Sequence, residues 1–423
     1  MTEVWSGAWV AERFGLAVTG QGGGSAVRDL VGLALRRNER RAHLLVSTVL
    51  GKHVPADPRL VHATGIRLGA LAGEHVGGAS LVLGYAETAT GLGHLVADAL
   101  GTDYLHSTRR QVAGVEPVGG FEEEHSHATS HLLLPEDPTL LRRPGPLVLV
   151  DDELSTGRTV LNTIAALHAL QPRERYVIAT LVDLRSASDA AWLTATAAAL
   201  DARIDVVALA TARIAVPDQF PARAAQFVAG HTDAVARRGA AGSILRAGGW
   251  PAGVRDGGRH GFGAADRLAL RDAADRCAAR LAGRVSGDRV LVLGFEELMY
   301  APLMIARGLA DSLGPRASVR FSSTTRSPVL AIDAPGYPIR TRLAFPSHDD
   351  PAGGPGQRFA YNVAPAADAE PFTDAVLVVD DVADTADLHS TRGLLAQLAG
   401  SCERVHLLVL PSYRPARVLT VTP

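Results

Sequence analysis

Short apolar segments alternate with amphipathic segments along the first half of the chain. The apolar segments are rich in Val, Leu and Ile and have the length of buried strands; they lie at 43–50, 80–83, 147–150, 176–181 and 204–209. Helical periodicity is clearest between them, at 91–100, 159–170 and 188–200. Strands that alternate with helices of this length indicate crossover connections. The pattern therefore predicts an α/β fold, with a parallel sheet covered by helices on both faces.

A second alternating series, over 264–410, echoes the first. The segment LVLGYAETATGLG begins at residue 81 and LVLGFEELMYAPL begins at residue 291, which places Glu87 and Glu297 at equivalent positions. Two further pairs follow in the same order: Ser107-Thr108-Arg109 with Thr324-Thr325-Arg326, and VLVDDELSTGRT with VLVVDDVADTADL. Such internal similarity predicts that one fold is used twice. A purely structural echo between two similar sheets is the alternative.

The segment between the two series has a different composition. Residues 230–263 are dense in Gly and Arg and keep no lasting periodicity, which is typical of a connection between domains. We therefore predict a first domain over 1–229, a linker over 230–263 and a second, related domain over 264–423.

Composition narrows the class of protein. The chain has 423 residues, of which 47% are hydrophobic and 20% charged, enough for more than one buried core. A formal net charge of -2 gives no positive field for nucleic acid or a membrane surface. Cys277 and Cys402 form neither a disulfide framework nor a zinc-binding spacing. With no apolar run of membrane-spanning length and no signal peptide, we expect a soluble cytoplasmic protein.

The strongest chemical motif is VLVDDELSTGRT, at 148–159. An apolar strand ends in Asp151 and Asp152, which places two carboxylates at the carboxyl edge of a parallel sheet, where such sheets bind ligands. The turn that follows opens a helix, whose free N–H groups and positive dipole end favour a phosphate. Gly157 allows the backbone to approach that phosphate closely. The alternative is a strand-end acid pair followed by a Ser or Thr that caps the next helix. A phosphorelay receiver domain is disfavoured, because it would need a Lys on a later strand and this chain has none suitably placed.

This motif resembles the signature of type I phosphoribosyltransferases, which bind 5-phosphoribosyl-1-pyrophosphate (PRPP). The resemblance implies that Asp151 and Asp152 are catalytic and hold the ribose hydroxyls, directly or through water on Mg²⁺. It implies that the 5-phosphate is bound by the whole turn: Ser155, Thr156, Gly157, Arg158 and Thr159. The fold would be a type I phosphoribosyltransferase-like sheet, followed by a degenerate copy.

Two loops are expected to complete the site. The resemblance assigns the pyrophosphate to the strand-to-helix loop Tyr85, Ala86, Glu87 and Thr88. An acid is unusual at an anion site, so Glu87 is predicted to join Asp151 and Asp152 around the magnesium; a first-turn helix acid is the alternative.

Arg109 begins the second loop, which runs to His131 and is expected to act as a lid. We predict that Arg109 is catalytic and stabilises the charge of the pyrophosphate. The alternative is that Arg109 is a solvated surface residue. His125, His127 and His131 are predicted to make lid or substrate contacts rather than to bind zinc. In related enzymes an N-terminal segment forms part of a hood that covers the acceptor base. Lys52 and His53 are candidates for that hood, and the alternative is that they only solvate the end of a strand.

Four segments together, GYAETATGLG, HSTRR, EEEHSHATSH and VDDELSTGRT, resemble orotate-phosphoribosyltransferase-like proteins of tellurium-resistance gene clusters. That family carries a C-terminal TRSP domain, and residues 325–328 read Thr-Arg-Ser-Pro. The resemblance implies a magnesium-dependent transferase that makes a nucleoside-like metabolite from PRPP and an unidentified nitrogenous acceptor. A PRPP-sensing regulator without turnover is the alternative. For the oligomeric state, a homodimer is the candidate.

Two departures qualify this expectation. Ser155 stands where 6-oxopurine phosphoribosyltransferases carry an Asp that manages the proton of the base, so the acceptor is expected to ionise unaided, as orotate does, or to have its proton handled from the hood. In the second copy the turn reads Asp384-Thr385-Ala386-Asp387-Leu388, which lacks the glycine and repels a phosphate. The second domain is left with three roles: covering the acceptor, binding another ligand, or forming an interface through the loop 348–357.

Overall fold

The computed structural model describes residues 4–21, 25–37, 42–112, 114–122, 130–231, 233, 241–349 and 356–415. Its helices are α1 (Ala8–Phe14), α2 (Ser25–Leu30), α3 (Pro58–Gly73), α4 (Thr90–Leu100), α5 (Arg158–Leu170), α6 (Ala187–Ala199), α7 (Phe220–Gly230), α8 (Ala264–Ala282), α9 (Tyr300–Leu313), α10 (Ala386–His389) and α11 (Leu394–Ala399). None of the described helices combines the length and hydropathy that a bilayer-spanning helix requires.

The strands fall into two large sheets and three hairpins. In chain order they are β1 (Ala17–Gln21), β2 (Val31–Leu35), β3 (His43–Ser47), β4 (Leu81–Gly84), β5 (Tyr104–His106), β6 (Gly119–Glu122), β7 (Ser130–Leu133), β8 (Leu147–Leu154), β9 (Arg175–Asp183), β10 (Arg203–Ala215), β11 (Ser243–Ala247), β12 (Arg289–Gly294), β13 (Ser318–Ser323), β14 (Arg342–Pro346), β15 (Gln357–Tyr361), β16 (Asp374–Asp380) and β17 (Arg404–Leu410). The hairpins are β2–β3, β6–β7 and β14–β15.

The first sheet has the order β1-β10-β9-β8-β4-β5 and is parallel except for β1, which runs antiparallel to β10. Successive side chains of a strand point to opposite faces. Val82 accordingly packs in the same cluster as Leu95 of α4, whereas Leu83 packs in the same cluster as Ile164 of α5. Helices therefore cover both faces, and the predicted α/β architecture is confirmed.

The second sheet has the order β11-β17-β16-β12-β13 and is parallel throughout. The run β17-β16-β12-β13 repeats the run β9-β8-β4-β5 of the first sheet, strand for strand. Helix α4 joins β4 to β5 in the first copy, and α9 joins β12 to β13 in the second. A hairpin follows in both copies, β6–β7 in the first and β14–β15 in the second. The repeat predicted from the sequence is thus present in the topology.

Residues within the predicted linker are folded against both sheets. Strand β11 pairs with β17 at the edge of the second sheet. Further on, Phe262 exchanges two backbone hydrogen bonds with Tyr104 of β5, at 2.9 and 2.8 Å. Segments this short carry no measurable periodicity, so the pattern of apolar positions does not reveal them. The domain limits drawn from the sequence stay a prediction.

The two halves are joined by a buried polar contact between helices. The carboxylate of Asp98, in α4, accepts hydrogen bonds from Arg271 of α8 at 2.9 Å and from the hydroxyl of Tyr300 in α9 at 2.6 Å. Arg267 of α8 also donates to Asp98. Because a buried carboxylate is stable only when it is paired and hydrogen-bonded, this contact ties the helix layers of the two halves together.

Candidate active site

A cavity of about 350 Å³ lies where β4 and β8 end. It brings together the residues predicted from the sequence, namely Lys52, His53, Tyr85, Ala86, Glu87, Thr88, Arg109, Asp151, Asp152, Ser155, Thr156, Gly157, Arg158 and Thr159. His125 and His127 lie outside the described residues. Residues separated by more than 100 positions thus line one space, as expected when parallel strands end at a common edge.

The turn after β8 has the geometry of an anion site. Gly157 has a φ of 81°, in the left-handed region that favours glycine, and α5 begins at the next residue. Within the part of the chain that the structure describes, no protein acceptor engages the backbone N–H groups of Ser155, Thr156 or Thr159. The N–H of Arg158 forms a long hydrogen bond, 3.4 Å, to the Thr156 hydroxyl. These donors at a helix N-terminus suit a phosphate group.

The acid pair lies at the end of β8, where both carboxylates are half-buried. The N–H of Asp152 donates to the Asp151 side chain at 2.9 Å. Burial, together with the carboxylate of Glu153, raises the pKa of Asp152 to about 6. A cation or a pair of sugar hydroxyls would relieve that repulsion.

The donor set also fits magnesium. Mg²⁺ is usually held by one or two carboxylates, with substrate phosphates and water completing its octahedron. Within the described ranges, no three His, Cys, Asp or Glu side chains form a group that would hold a metal by itself. Asp151 and Asp152 could therefore hold Mg²⁺ together with water and with oxygen ligands from a substrate.

Glu87 forms a buried ion pair with Lys52. The Lys52 Nζ lies 2.8 Å from the Glu87 Oε1, and both residues are buried. Burial alone would raise the pKa of Glu87, but the ammonium of Lys52, with Arg109 and Arg326 nearby, lowers it below its ordinary value. A contact between Glu87 and magnesium stays a prediction, because Lys52 engages this carboxylate in the structure. Burial of Lys52 also shows that it does not merely solvate a strand end.

His53 is buried beside Lys52 and is held by the second half of the chain. Its ring lies 5.7 Å from the ring of Tyr361, and its carbonyl accepts a hydrogen bond from the Asn362 side chain at 3.0 Å. No described residue bonds its Nε2. Burial, with the charges of Lys52 and Arg36, lowers the pKa of His53 to about 3. The imidazole is therefore neutral near pH 7.

Arg109 lines the cavity, and its backbone is fixed from the second half. Its N–H donates to the Glu297 Oε1 at 2.8 Å, while the Thr108 hydroxyl donates to the Oε2 at 2.7 Å. The Arg109 Nη2 lies 3.4 Å from the His131 Nε2. His131 is buried and hydrogen-bonds the Ser107 hydroxyl at 2.9 Å, so it packs inside rather than lining the cavity.

The segment between Arg109 and His131, predicted from the sequence to be a loop, is a loop only in part, and its action as a lid stays a prediction. Strands β6 and β7 form a hairpin within that segment, and residues 123–129 lie outside the described residues.

Several lining residues are not among the sequence candidates. Residues 325–328 reach the cavity from the second half, and Arg36, Arg37, Leu44 and Leu45 reach it from the β2–β3 hairpin. The internal repeat aligns Thr325-Arg326 with Thr108-Arg109, which marks these positions as related. It does not indicate which of the two sites they enter.

The equivalent place in the second half is filled by a side chain of the first half. The guanidinium of Arg110 pairs with Asp380, the counterpart of Asp151, and its Nε lies 3.2 Å from the Asp349 Oδ2. The degenerate turn is also closed internally, because Asp384 pairs with His389 at 2.7 Å. The part of the chain described here thus favours an interface over a second phosphate site.

Two family models match the chain, one in each half. Residues 30–213 match the family described as phosphoribosyl transferase. Residues 256–398 match the TRSP domain, described as C-terminal to that transferase. Together the two matches span well over half of the 423 residues and follow each other in the stated order.

Solved structures with local similarity are nucleobase phosphoribosyltransferases. The adenine phosphoribosyltransferase of Rhodothermus marinus is 17% identical, covers 43% of this chain and 93% of its own, and has a TM-score of 0.29. For the Giardia lamblia enzyme complexed with 9-deazaadenine the values are 19%, 44%, 93% and 0.31. For the orotate phosphoribosyltransferase of Aeropyrum pernix they are 21%, 48%, 92% and 0.26. A search of curated protein sequences found no match.

Proposed function

Since the chain belongs to the phosphoribosyl transferase family with a C-terminal TRSP domain, we propose that it is a magnesium-dependent phosphoribosyltransferase. It would move the ribose 5-phosphate of PRPP to a nitrogenous acceptor and release pyrophosphate. The observation that carries this proposal is the shared cavity, in which a carboxylate pair adjoins a turn whose Ser155, Thr156 and Thr159 N–H groups meet no acceptor among the described residues.

Each part of PRPP has a matching set of residues. The turn 155–159 would receive the 5-phosphate through its N–H groups and hydroxyls. Asp151 and Asp152 would accept hydrogen bonds from the ribose hydroxyls and supply carboxylate oxygens to the cation. Lys52 and Arg109 line the cavity beside the loop 85–88, where cations can meet the charge of the pyrophosphate.

In the reaction, the bond between ribose C1 and the pyrophosphate oxygen breaks, and that oxygen keeps the electron pair. A nitrogen lone pair of the acceptor then forms the new bond to C1. A magnesium ion, when bound, would neutralise part of the charge that develops on the pyrophosphate. The protein contributes by placing the two reactants and by presenting fixed cations to the leaving group.

The neutral imidazole of His53 limits how the acceptor can be handled. With a pKa of about 3, His53 does not take up a proton near pH 7, although it can exchange a hydrogen bond with an acceptor. Ser155 provides no carboxylate for that purpose either. The acceptor would therefore react as an anion or lose its proton to the departing pyrophosphate or to water.

One experiment tests the proposal. The purified protein is incubated with PRPP, Mg²⁺ and a panel of nitrogenous bases, and pyrophosphate release is followed. Release that requires a base supports transfer, whereas tight PRPP binding without release indicates a binding protein. The double substitution Asp151→Asn and Asp152→Asn should abolish both activities. Asp381→Asn serves as the matched control, because Asp381 is an exposed strand-end acid of the second copy outside the cavity.

A further inference from the structure

The segment 325–328 crosses from the second half of the chain into the cavity of the first. On the basis of the proposed function, we propose that Arg326 binds the pyrophosphate group of PRPP. The second domain would then complete the active site of the first, as a permanently attached partner that donates a cation.

Contacts on both halves fix the path of this segment. At its start, Thr325 exchanges two backbone hydrogen bonds with Phe359 of β15, each 2.9 Å long. Just beyond its end, the N–H of Leu330 donates to the carbonyl of Leu35 in β2 at 2.8 Å. Backbone bonds to a different half at each end hold the segment across the cavity, so Arg326 has a defined position there.

The guanidinium of Arg326 is anchored by one nitrogen. Its Nε donates to the Glu296 Oε2 at 2.6 Å, and its Nη2 lies 3.8 Å from the Asp349 Oδ2. Among the described residues, Nε is the one nitrogen of Arg326 that makes a hydrogen bond to protein. The side chain is 16% exposed and lines the cavity. A guanidinium has five N–H donors, so most of them remain to engage a ligand.

The electrostatics place Arg326 beside the loop 85–88. Lys52, Arg109 and Arg326 all act on the carboxylate of Glu87 in that loop and lower its pKa against the effect of burial. Three cations thus converge on Glu87, while the nearby carboxylate of Glu296 is shared between Arg326 and Arg358. Pyrophosphate carries several negative charges, and a guanidinium matches phosphate oxygens through two parallel N–H bonds. This balance favours the pyrophosphate over an uncharged part of the acceptor.

The crossing is reciprocal. While 325–328 enters the first cavity, Arg109 and Arg110 follow β5 into the second half, where Glu297 holds the N–H of Arg109 and Asp380 pairs with Arg110. Each copy therefore inserts the segment after its edge strand into the other. Because Arg110 pairs with Asp380 at the second site, the described residues leave room for a ligand at the first, and the second domain would serve it.

The test compares two arginines that share their anchors. Arg358 also pairs with Glu296, and its Nη2 lies 3.7 Å from Asp349, but it is only 5% exposed and does not line the cavity. Full-length Arg326→Gln and Arg358→Gln are titrated with Mg²⁺-pyrophosphate and with PRPP by calorimetry. Arg326→Gln should weaken both at least about tenfold, which corresponds to the loss of about 1.4 kcal/mol. Arg358→Gln should lower the melting temperature and leave both affinities within about twofold of the unsubstituted protein.

Arg326→Lys keeps the charge and serves if the glutamine variant does not fold. Its affinity for pyrophosphate should fall between those of the unsubstituted protein and Arg326→Gln, since an ammonium is not bidentate. Equal binding by the unsubstituted protein and by both Arg326 variants would overturn the inference, and so would an equal loss in Arg358→Gln, which would indicate an effect of the network alone. Failure of the unsubstituted protein to bind PRPP would instead overturn the proposed function.

Discussion

The ammonium of Lys52 and the carboxylate of Glu87 lie 2.8 Å apart and are both buried at the rim of the cavity. A buried charge is tolerated when its partner is present and becomes costly when the partner is removed. Lys52 belongs to the loop after β3, and Glu87 belongs to the loop after β4. Their pairing links the predicted hood of the site to the loop predicted to receive the pyrophosphate.

Glu87→Gln should destabilise the protein, by about 3 kcal/mol, because it leaves the ammonium of Lys52 buried without a counter-ion. Added PRPP should stabilise this variant more than the unsubstituted protein, since the pyrophosphate would supply the missing negative charge. Thermal unfolding with and without PRPP measures both effects. Glu403→Gln, at an exposed position, is the control. Identical melting temperatures for Glu87→Gln and the control would show that the ion pair contributes no stability.

The pKa of Asp152, about 6, makes ligand binding depend on pH. Below pH 6 the carboxyl is protonated and can neither bind Mg²⁺ nor accept from a hydroxyl in the same way. The affinity for Mg²⁺-PRPP should therefore fall up to about tenfold per pH unit below this value. Calorimetry between pH 5 and 8 checks this. In Asp152→Asn the same titration should be weaker and flatter, and an unchanged pH profile in that variant would show that another group titrates.

The raised pKa of Asp152 also affects the stability of the fold, which should decrease as pH rises while the affinity for Mg²⁺-PRPP increases. Because folding raises the pKa of Asp152, its contribution to stability is present at low pH and is lost as pH rises through about 6. In the absence of ligand, Asp152→Asn should thus stabilise the fold at pH 8 by about 1 kcal/mol, after allowance for partial exposure. Chemical denaturation at pH 5 and pH 8 measures this. A variant that is less stable than the unsubstituted protein at pH 8 would contradict it.

Gly157→Ala should block the phosphate site. The φ of 81° costs a side chain about 1–2 kcal/mol, and the added methyl would lie 3.7 Å from the Arg185 side chain and 3.8 Å from that of Leu154, so relief of the strain would shift the N–H groups of the turn. Gly101→Ala is the matched control: its φ is 65°, no atom lies near its added methyl, and it follows α4 outside the cavity. Both variants should lose stability, but only Gly157→Ala should lose affinity for ribose 5-phosphate. Equal affinities in the two variants would rule out the turn as the phosphate site.

Arg110→Gln should destabilise the protein by about 3–5 kcal/mol, because it leaves Asp349 and Asp380 buried with one cation fewer. The fraction that stays folded should bind PRPP with nearly unchanged affinity, because Arg110 does not line the cavity. Urea denaturation and calorimetry give the two quantities. A large loss of PRPP affinity with unchanged stability would indicate that Arg110 contacts the ligand.

Much of the fold follows from local patterns. The apolar segments at 147–150 and 176–181 lie within β8 and β9, and the helical pattern at 159–170 lies within α5. These elements follow from short stretches of sequence. Burial of one face gives apolar residues the spacing of a helix or a strand, and a glycine allows the left-handed backbone of a tight turn. β10 extends beyond 204–209 to Ala215, because β1 pairs with residues 211–215. No local pattern in the sequence of β10 indicates that β1 is its partner.

The sequence by itself determined the repeated α/β architecture, the acid pair at Asp151 and the turn at Gly157 that opens α5, since each depends on neighbours in the chain. Only the tertiary structure decided that Lys52 neutralises Glu87, that Arg326 enters the cavity of the other half, and that Arg110 fills the second site. Those contacts join residues as many as 270 positions apart, such as Arg110 and Asp380. The physical reason is that charge pairing and burial depend on distance in space, which the packing of two sheets fixes and the order of residues does not.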